Sequence, residues 1–184
     1  MISIDGQQFD PSSEHFSFDL YHQIDDMREL AKLRAFANLK SANFCGSGLD
    51  DVGLRYVSDV PTLENLNLQD TRISDDGLCV LVRLPNLKYL RLKENAQLSN
   101  ACIPHLLKLK QLTDLQIHKT AIDQRGLNQL VGMEALRGIC LDVWKDNYSL
   151  EELLDFSVRM PECTILVKGR GEFFQGGFTG TWDE

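Results

Sequence analysis

A leucine returns at nearly constant intervals along most of this 184-residue chain. The copies are 24, 24, 25 and 24 residues apart, at Leu39, Leu63, Leu87, Leu112 and Leu136. A fixed period of roughly 20 to 50 residues is typical of proteins in which one small unit is stacked on copies of itself. The chain is therefore expected to be a stack of repeats, each burying its apolar side against its neighbours.

Two further apolar residues follow each of these leucines, three and five positions later. The pairs are Ala42 and Phe44, Leu66 and Leu68, Leu90 and Leu92, Leu115 and Ile117, and Ile139 and Leu141. A short β-strand with one buried face requires this alternation, because successive side chains point to opposite faces of a sheet. Every copy is thus predicted to supply one strand.

A second pattern in each copy predicts where a helix begins. An apolar residue is followed at once by Asp or Ser in the pairs Leu49-Asp50, Ile73-Ser74, Leu98-Ser99, Ile122-Asp123 and Tyr148-Ser149. Such side chains accept hydrogen bonds from the unpaired N–H groups of a first helical turn, so these positions are predicted N-caps. We attribute the nearby acids Asp51, Asp75 and Asp76 to the helix dipole, which favours negative charge there, and assign them no catalytic role.

Strand, cap and helix in this order predict parallel strands joined by right-handed crossovers. With the segments Thr71 to Leu78 and Thr120 to Leu127, which share T-x-I and G-L, the sequence resembles the leucine-rich-repeat superfamily over about residues 30–160. The pattern of these two segments is similar to that of bacterial leucine-rich repeats, which are related to the ribonuclease-inhibitor and cysteine-containing types. The resemblance implies an α/β fold, a right-handed solenoid with a parallel concave β-sheet and short convex helices. It also implies a general role in protein recognition.

Both ends are expected to cap the stack, because a terminal repeat lacks a neighbour. Residues 1–14 are predicted to form a β-hairpin around an Asp5-Gly6 turn, covering the exposed edge of the first strand. Residues 161–184 are predicted to hold a last strand and a cap or tail, whose aromatic residues could also dock a partner. The preferred register of that strand turns Ile165 and Val167 inward, whereas a register anchored on Pro161 turns Cys163 and Leu166 inward.

Between the two caps, residues 15–160 are expected to form the solenoid, as one degenerate repeat followed by five clear ones. A step of 24 residues back from Ala42 and Phe44 gives the inward residues of the degenerate repeat as Phe18 and Leu20.

The charge of the chain is concentrated at one end. The formal net charge is -8, and the first 27 residues hold no Lys or Arg but six acids, Asp5, Asp10, Glu14, Asp19, Asp25 and Asp26. Nucleic-acid binding is not expected, because its affinity comes largely from Lys and Arg on phosphates. The acidic end suits a basic protein partner, or it serves only to keep the protein in solution.

Composition also bears on the compartment. No apolar stretch approaches the roughly 18 residues of a membrane helix, and the first residues lack the basic start of a secretory signal. Five cysteines without a C-x-x-C pair favour reduced thiols over disulfides or a zinc site. We expect a soluble, acidic, cytoplasmic protein without cofactor or metal, and with no nucleic-acid or membrane partner.

If the alternating apolar residues point inward, the residues between them form polar rows on the concave sheet. Adjacent strands lie about 4.8 Å apart, so six rows would make one continuous surface with Tyr21, Tyr89 and Trp144 as aromatic anchors. Any solenoid exposes polar residues there, so the rows alone do not prove a binding site. The residues expected to contact a partner are Asp19, Tyr21, Asn43, Asn65, Asn67, Gln69, Tyr89, Arg91, Lys93, Asp114, Gln116, His118, Asp142 and Trp144.

One group of residues invites a catalytic interpretation, namely Cys140 with His118 and Asp142. Cys140 would lie about 8 Å diagonally from His118 on an open sheet that cannot exclude water, so an ion pair of His118 with Asp142 is favoured instead. His15, Asp19 and His22 do not converge as a metal site, because His15 falls at an inward position. No catalytic residue is predicted.

The sequence is consistent with two functions. The first is a small cytosolic inhibitor, such as an immunity protein that neutralises a cognate toxin or enzyme through its concave face. The second is an adaptor or scaffold protein in a larger assembly. An inhibitor should bind one partner tightly, whereas an adaptor should bind exchangeable partners with moderate affinity.

Overall fold

The computed structural model describes residues 1–19 and 22–182. In chain order its strands are β1 Ile2–Ile4, β2 Gln7–Phe9, β3 His15–Ser17, β4 Ser41–Asn43, β5 Asn65–Asn67, β6 Tyr89–Arg91, β7 Asp114–Gln116, β8 Gly138–Leu141, β9 Thr164–Val167, β10 Gly171–Phe174 and β11 Gly177–Gly180. Within the described residues, nine of these strands form one sheet in unbroken sequence order, from β3 to β11. The strands from β3 to β9 are parallel, as the repeats predict.

Short helices connect the parallel strands. The α-helices are α1 Asp51–Val57, α2 Ile103–Leu106, α3 Gln124–Gln129 and α4 Leu150–Arg159, and 3₁₀ helices cover Met27–Ala35, Asp76–Arg83 and Asn100–Cys102. Four of the five predicted N-caps are confirmed, because the side chains of Asp50, Ser99, Asp123 and Ser149 accept hydrogen bonds from first-turn N–H groups. In the remaining repeat Asp75 occupies the N-cap position without a side-chain cap, and the predicted Ser74 lies one residue earlier, where its hydroxyl accepts from the Gly77 N–H at 3.0 Å. No helix among the described residues is long and apolar enough to cross a membrane.

The core runs as a continuous column between the sheet and the helices. All five repeating leucines are at most 1% exposed, and the paired apolar residues of each strand are buried with them. The expected α/β solenoid, with a mostly parallel sheet on one side and short helices on the other, is confirmed.

Four of the five clear repeats place a polar residue in the turn that follows the strand, eight residues after the leucine, whereas the fifth has the exposed Trp144 there. The hydroxyls of Ser47, Thr71 and Thr120 donate to the carbonyl three residues earlier, at 2.7, 3.0 and 2.6 Å. Asn95 takes this position in the middle repeat and is 0% exposed. These side chains form hydrogen bonds with backbone groups at the points where the chain leaves the sheet. An unpaired polar group buried there would cost free energy of folding.

A ladder of side-chain contacts joins the helix starts of successive repeats. The Asp51 carboxylate accepts from both the N–H and the hydroxyl of Ser74, at 2.8 and 2.6 Å. Asp75 does the same for Ser99 in the next repeat. Assigning Asp51 and Asp75 to the helix dipole alone was therefore incomplete. A side chain at Gly77 would overlap the Asp51 carboxylate, so the glycine leaves room for the ladder.

The degenerate first repeat is shifted by two residues from its predicted register. Phe16 pairs with Ala42, 26 residues away rather than 24, because the first crossover is longer than the later ones. Phe16 is 2% exposed and packs on Phe44, with ring centroids 5.5 Å apart. His15 is therefore exposed on the concave side, contrary to its predicted inward position. The predictions for Leu20 and Tyr21 lie outside the described residues.

The predicted N-terminal hairpin is present, but it is a separate two-stranded sheet that does not hydrogen-bond to β3. It covers the end of the core instead of the edge of the sheet. Ile4 is fully buried, and the ring of Phe9 lies 4.7 Å from that of Phe16.

The C-terminal strand β9 has the preferred register, with Ile165 and Val167 both 0% exposed. The residues after it add β10 and β11 as antiparallel strands at the edge of the sheet, a feature that the repeat pattern did not predict. Phe173 is buried against Phe178 and Trp182 beneath these strands.

Candidate functional site

The side chains on the solvent side of β4 to β9 form three columns that cross the strands. Strand register aligns Ser41, Asn65, Tyr89, Asp114, Gly138 and Thr164 in the first column, and Asn43, Asn67, Arg91, Gln116, Cys140 and Leu166 in the second. The third column, two residues further along each strand, holds Cys45, Gln69, Lys93, His118, Asp142 and Lys168. We call these three columns the concave face. The structure thus brings together the predicted contact residues from Asn43 to Asp142.

Tyr89, Arg91 and Lys93 lie near the middle of the concave face, and each is half-buried. The Arg91 Nε atom is inaccessible to solvent and has no hydrogen-bond partner among the described residues. Asn43 and Asn67 have a different role, because their carboxamide oxygens accept the N–H groups of Cys45 and Gln69 and so shape the strand ends.

Glu94 lies beside the third column and collects several of its polar groups. Its carboxylate accepts from Lys119 Nζ at 2.8 Å and from Gln69 Nε2 at 2.6 Å, and Lys93 Nζ is 3.4 Å away. The hydrogen bond from Lys119 is the main cause that lowers the pKa of Glu94 to about 2. Sequence reasoning missed Glu94, because its backbone φ of 61° turns it out of the strand pattern.

Lowering the pH should reduce the free energy of unfolding, because it protonates Glu94. Its folded pKa of about 2 lies below the ordinary 4.5, so its contribution to stability is complete above pH 4.5 and is lost as the pH falls toward 2. The Glu94→Gln variant lacks this titration. Urea unfolding between pH 6 and pH 2.5 should therefore show a larger loss of stability in the parent protein than in the variant. A difference between the two proteins that is independent of pH would contradict this role.

The predicted pairing of His118 with Asp142 is wrong. His118 Nδ1 lies 3.5 Å from Cys140 Sγ, and both residues are only 6% exposed. Asp142 instead accepts a hydrogen bond from the Lys119 N–H at 2.8 Å. Burial raises the pKa of the Cys140 thiol and lowers the pKa of His118, so both groups are neutral near pH 7 and the thiol is not activated.

The other candidate group near the N-terminus is also placed differently. His22 Nε2 lies 2.7 Å from the Asp5 carboxylate, and its ring stacks on Phe18 at 4.4 Å. His15 lies on the concave side of β3 instead. In the part of the chain that the structure describes, no group of three His, Cys, Asp or Glu residues could hold a metal ion.

Most of the N-terminal acids are engaged within the protein. Asp5 accepts from the N–H groups of residues 25 and 26, Asp10 from Ser12, and Asp26 from Arg28. Glu14 pairs with Lys40 at 3.0 Å. The ion pairs of Asp26 with Arg28 and of Glu14 with Lys40 offset part of the negative charge of this end, whereas Asp5 and Asp10 keep theirs.

Trp144 is 69% exposed, but it lies in the loop between β8 and α4 and not within a column. The Asn147 carboxamide oxygen accepts the backbone N–H of Trp144 at 2.8 Å, and this hydrogen bond fixes the conformation of the loop. Trp144 therefore lies at the rim of the concave face.

The concave side also continues beyond the predicted residues. Thr164, Leu166 and Lys168 extend the columns on β9, and the exposed Glu172 lies next to Leu166 on β10. The inward register of Ile165 and Val167 already implied the first three of these positions.

Comparison with known proteins gives matches of fold only. No protein-family model and no curated protein sequence matches the chain. Among solved structures, internalin C2 of Listeria monocytogenes is similar with a TM-score of 0.58 and 22% identity, covering 79% of this chain and 57% of that one. Another internalin of the same organism, inlF, has a TM-score of 0.50 and 19% identity, covering 79% and 45%. The chain thus spans about half the length of these two internalins.

Proposed function

We propose that this chain, which has the fold of leucine-rich-repeat proteins, is a non-catalytic module that binds a protein partner on its concave face. The observation that carries the proposal is the set of mostly polar columns across β4 to β9, with Tyr89 and Arg91 near the middle. Tyrosine and arginine near the centre of a contact supply much of the binding energy in protein interfaces.

A binding role also suits the chemistry of this surface. Among the described residues of this surface, Cys140 and His118 form the contact that resembles a nucleophile with a base, and both are neutral and nearly buried. An open sheet does not exclude water in the way that acyl or phosphoryl transfer requires.

The more specific form of the proposal is a cytoplasmic inhibitor of one cognate enzyme, as an immunity protein is for its toxin. The five cysteines are all free thiols, which suits a reducing compartment. The runner-up is an adaptor that holds exchangeable partners. Stoichiometry separates the two, because an inhibitor should retain a single partner at a one-to-one ratio.

The proposal is tested by affinity capture of the tagged protein from its native lysate, followed by mass spectrometry. The parent protein and an Arg55→Ala control, altered on the exposed side of α1, should retain the same partner. Tyr89→Ala should reduce its recovery about tenfold or more, because a central aromatic contact is lost, with an unchanged unfolding midpoint. Full recovery with Tyr89→Ala would show that the partner binds elsewhere.

A further inference from the structure

The concave face differs in charge from the chain as a whole. The net charge of the chain is -8, yet the three columns hold Arg91, Lys93 and Lys168 against only two acids, Asp114 and Asp142. The three columns therefore carry a formal charge of +1 (three basic residues against two acids), although the chain as a whole is acidic and Glu172 lies beside them on β10.

The two acids of the concave face already have partners within the protein. Asp142 Oδ1 accepts the Lys119 N–H at 2.8 Å, and Asp114 Oδ2 accepts the Thr113 hydroxyl at 2.7 Å. Asp114 also fits closely over Gly138, where an added Cβ would lie 2.8 Å from its other oxygen. These carboxylates hold their own loops and strands together and form no ion pair with Arg91, Lys93 or Lys168 among the described residues, although Asp142 is next to Lys168 in the third column.

The basic residues are less well satisfied. Lys93 shares Glu94 with Lys119. Among residues 1–19 and 22–182, no carboxylate lies within ion-pair distance of Arg91 or Lys168, and Glu172, the acid that faces this side from β10, pairs with neither.

Arg91 is the clearest case of an unmet charge. The strands beside it place the uncharged Asn67 and Gln116 next to it, and its Nε atom is buried without a partner. A partly desolvated guanidinium without a counter-ion is costly. Because Nε is inaccessible, a carboxylate of the partner would form its two parallel hydrogen bonds with the terminal Nη atoms.

We propose that the centre of the concave face binds an acidic segment of the partner protein, with one carboxylate on Arg91 and further carboxylates at Lys93 and Lys168. Arg91 and Lys168 are three strands and one column apart, or about 16 Å. An extended segment that crosses the strands covers this distance in about four to five residues. The inference deepens the proposed function and rests on it, because it names the chemistry of the contact.

The test uses the full chain and a fluorescein-labelled peptide of eight alternating Glu and Gly residues at low ionic strength, with binding followed by fluorescence anisotropy. The matched probe replaces every Glu with Gln, and a third probe is an oligothymidylate of equal charge. The parent protein should bind the Glu peptide about tenfold or more tightly than the Gln peptide, and added salt should weaken this binding. Arg91→Gln and Lys168→Gln should each reduce the affinity, whereas the control Arg55→Gln should not.

Three results would overturn the inference. They are equal binding of the Glu and Gln peptides, unchanged binding in Arg91→Gln, and tighter binding of the oligothymidylate than of the Glu peptide. The last result would assign the basic residues to phosphate and not to carboxylate. If any of these occurs while Tyr89→Ala still loses the captured protein, the acidic segment is excluded and the proposed binding function stands. If the Glu peptide binds through Arg91 while Tyr89→Ala retains the captured protein, the proposed function fails instead.

Discussion

Replacing Asn95 with alanine should lower the free energy of unfolding by about 3 to 5 kcal/mol, the result of leaving several buried backbone groups unpaired. The Asn95 carboxamide donates to the carbonyls of Leu68 and Leu92 at 2.7 and 2.9 Å, and it accepts the Thr71 N–H at 3.0 Å. It therefore joins two repeats inside the core, where water cannot replace it. Equilibrium unfolding in urea measures the change.

Two further variants make the Asn95 result specific. Asn65→Ala removes an exposed carboxamide from the concave face and should change stability by no more than about 0.5 kcal/mol. Asn95→Thr should recover part of the loss, because Thr71 and Thr120 serve the equivalent position in neighbouring repeats. A loss below about 1 kcal/mol in Asn95→Ala would mean that the buried hydrogen bonds of Asn95 do not stabilise the stack of repeats.

Truncating Leu90 to alanine should cost about 2 to 5 kcal/mol, from lost burial and from the cavity left behind. Leu90 is 0% exposed, and strand register places it between Leu66 and Leu115. Because each repeat is stabilised by its immediate neighbours, a cavity in the central strand weakens the packing on both sides. Thermal and urea unfolding should agree on the loss.

The matched control for Leu90 is Val82→Ala, since Val82 is apolar but 53% exposed. Its effect should stay within about 0.5 kcal/mol. Similar losses in the two variants would contradict the assignment of Leu90 to the core.

The repeating part of the fold could be predicted because several independent signals agree in every copy. The spacing of Leu63 and Leu87, the alternation around Leu90 and the cap at Asp50 all indicate the same unit. Contacts between repeats could not be predicted in this way, because they depend on how neighbouring units stack. The Asp51–Ser74 contact is of this kind. In the sequence it is reflected only in Gly77, where any side chain would overlap the Asp51 carboxylate.

The irregular end was harder to predict for a physical reason. A register set by counting residues fails where a crossover changes length, as it does before Ala42. The burial of Phe16 among Phe9, Phe36 and Phe44 determines the register there instead.

The concave residues were predictable as a set, but their individual roles were not. Strand alternation placed Tyr89 and Arg91 correctly on this face. Whether His118 turns to Cys140 or to Asp142 depends on side-chain rotamers and burial, which spacing does not specify. The lack of an ion pair at Arg91 could not be predicted either, because the overall charge of a chain does not specify which side chains meet.

The binding claim is tested most directly by a thiol footprint. Asn65→Cys places a thiol beside Tyr89 on the concave face, and the natural Cys79 is exposed on the 3₁₀ helix Asp76–Arg83 on the other side. Alkylation at position 65, at Cys79 and at the natural Cys45, which is also exposed on the concave face, is followed by peptide mass spectrometry, with and without the captured partner. The account predicts that the partner slows labelling at position 65 about tenfold and leaves Cys79 unchanged. Protection of Cys79 with continued labelling at position 65 would contradict it.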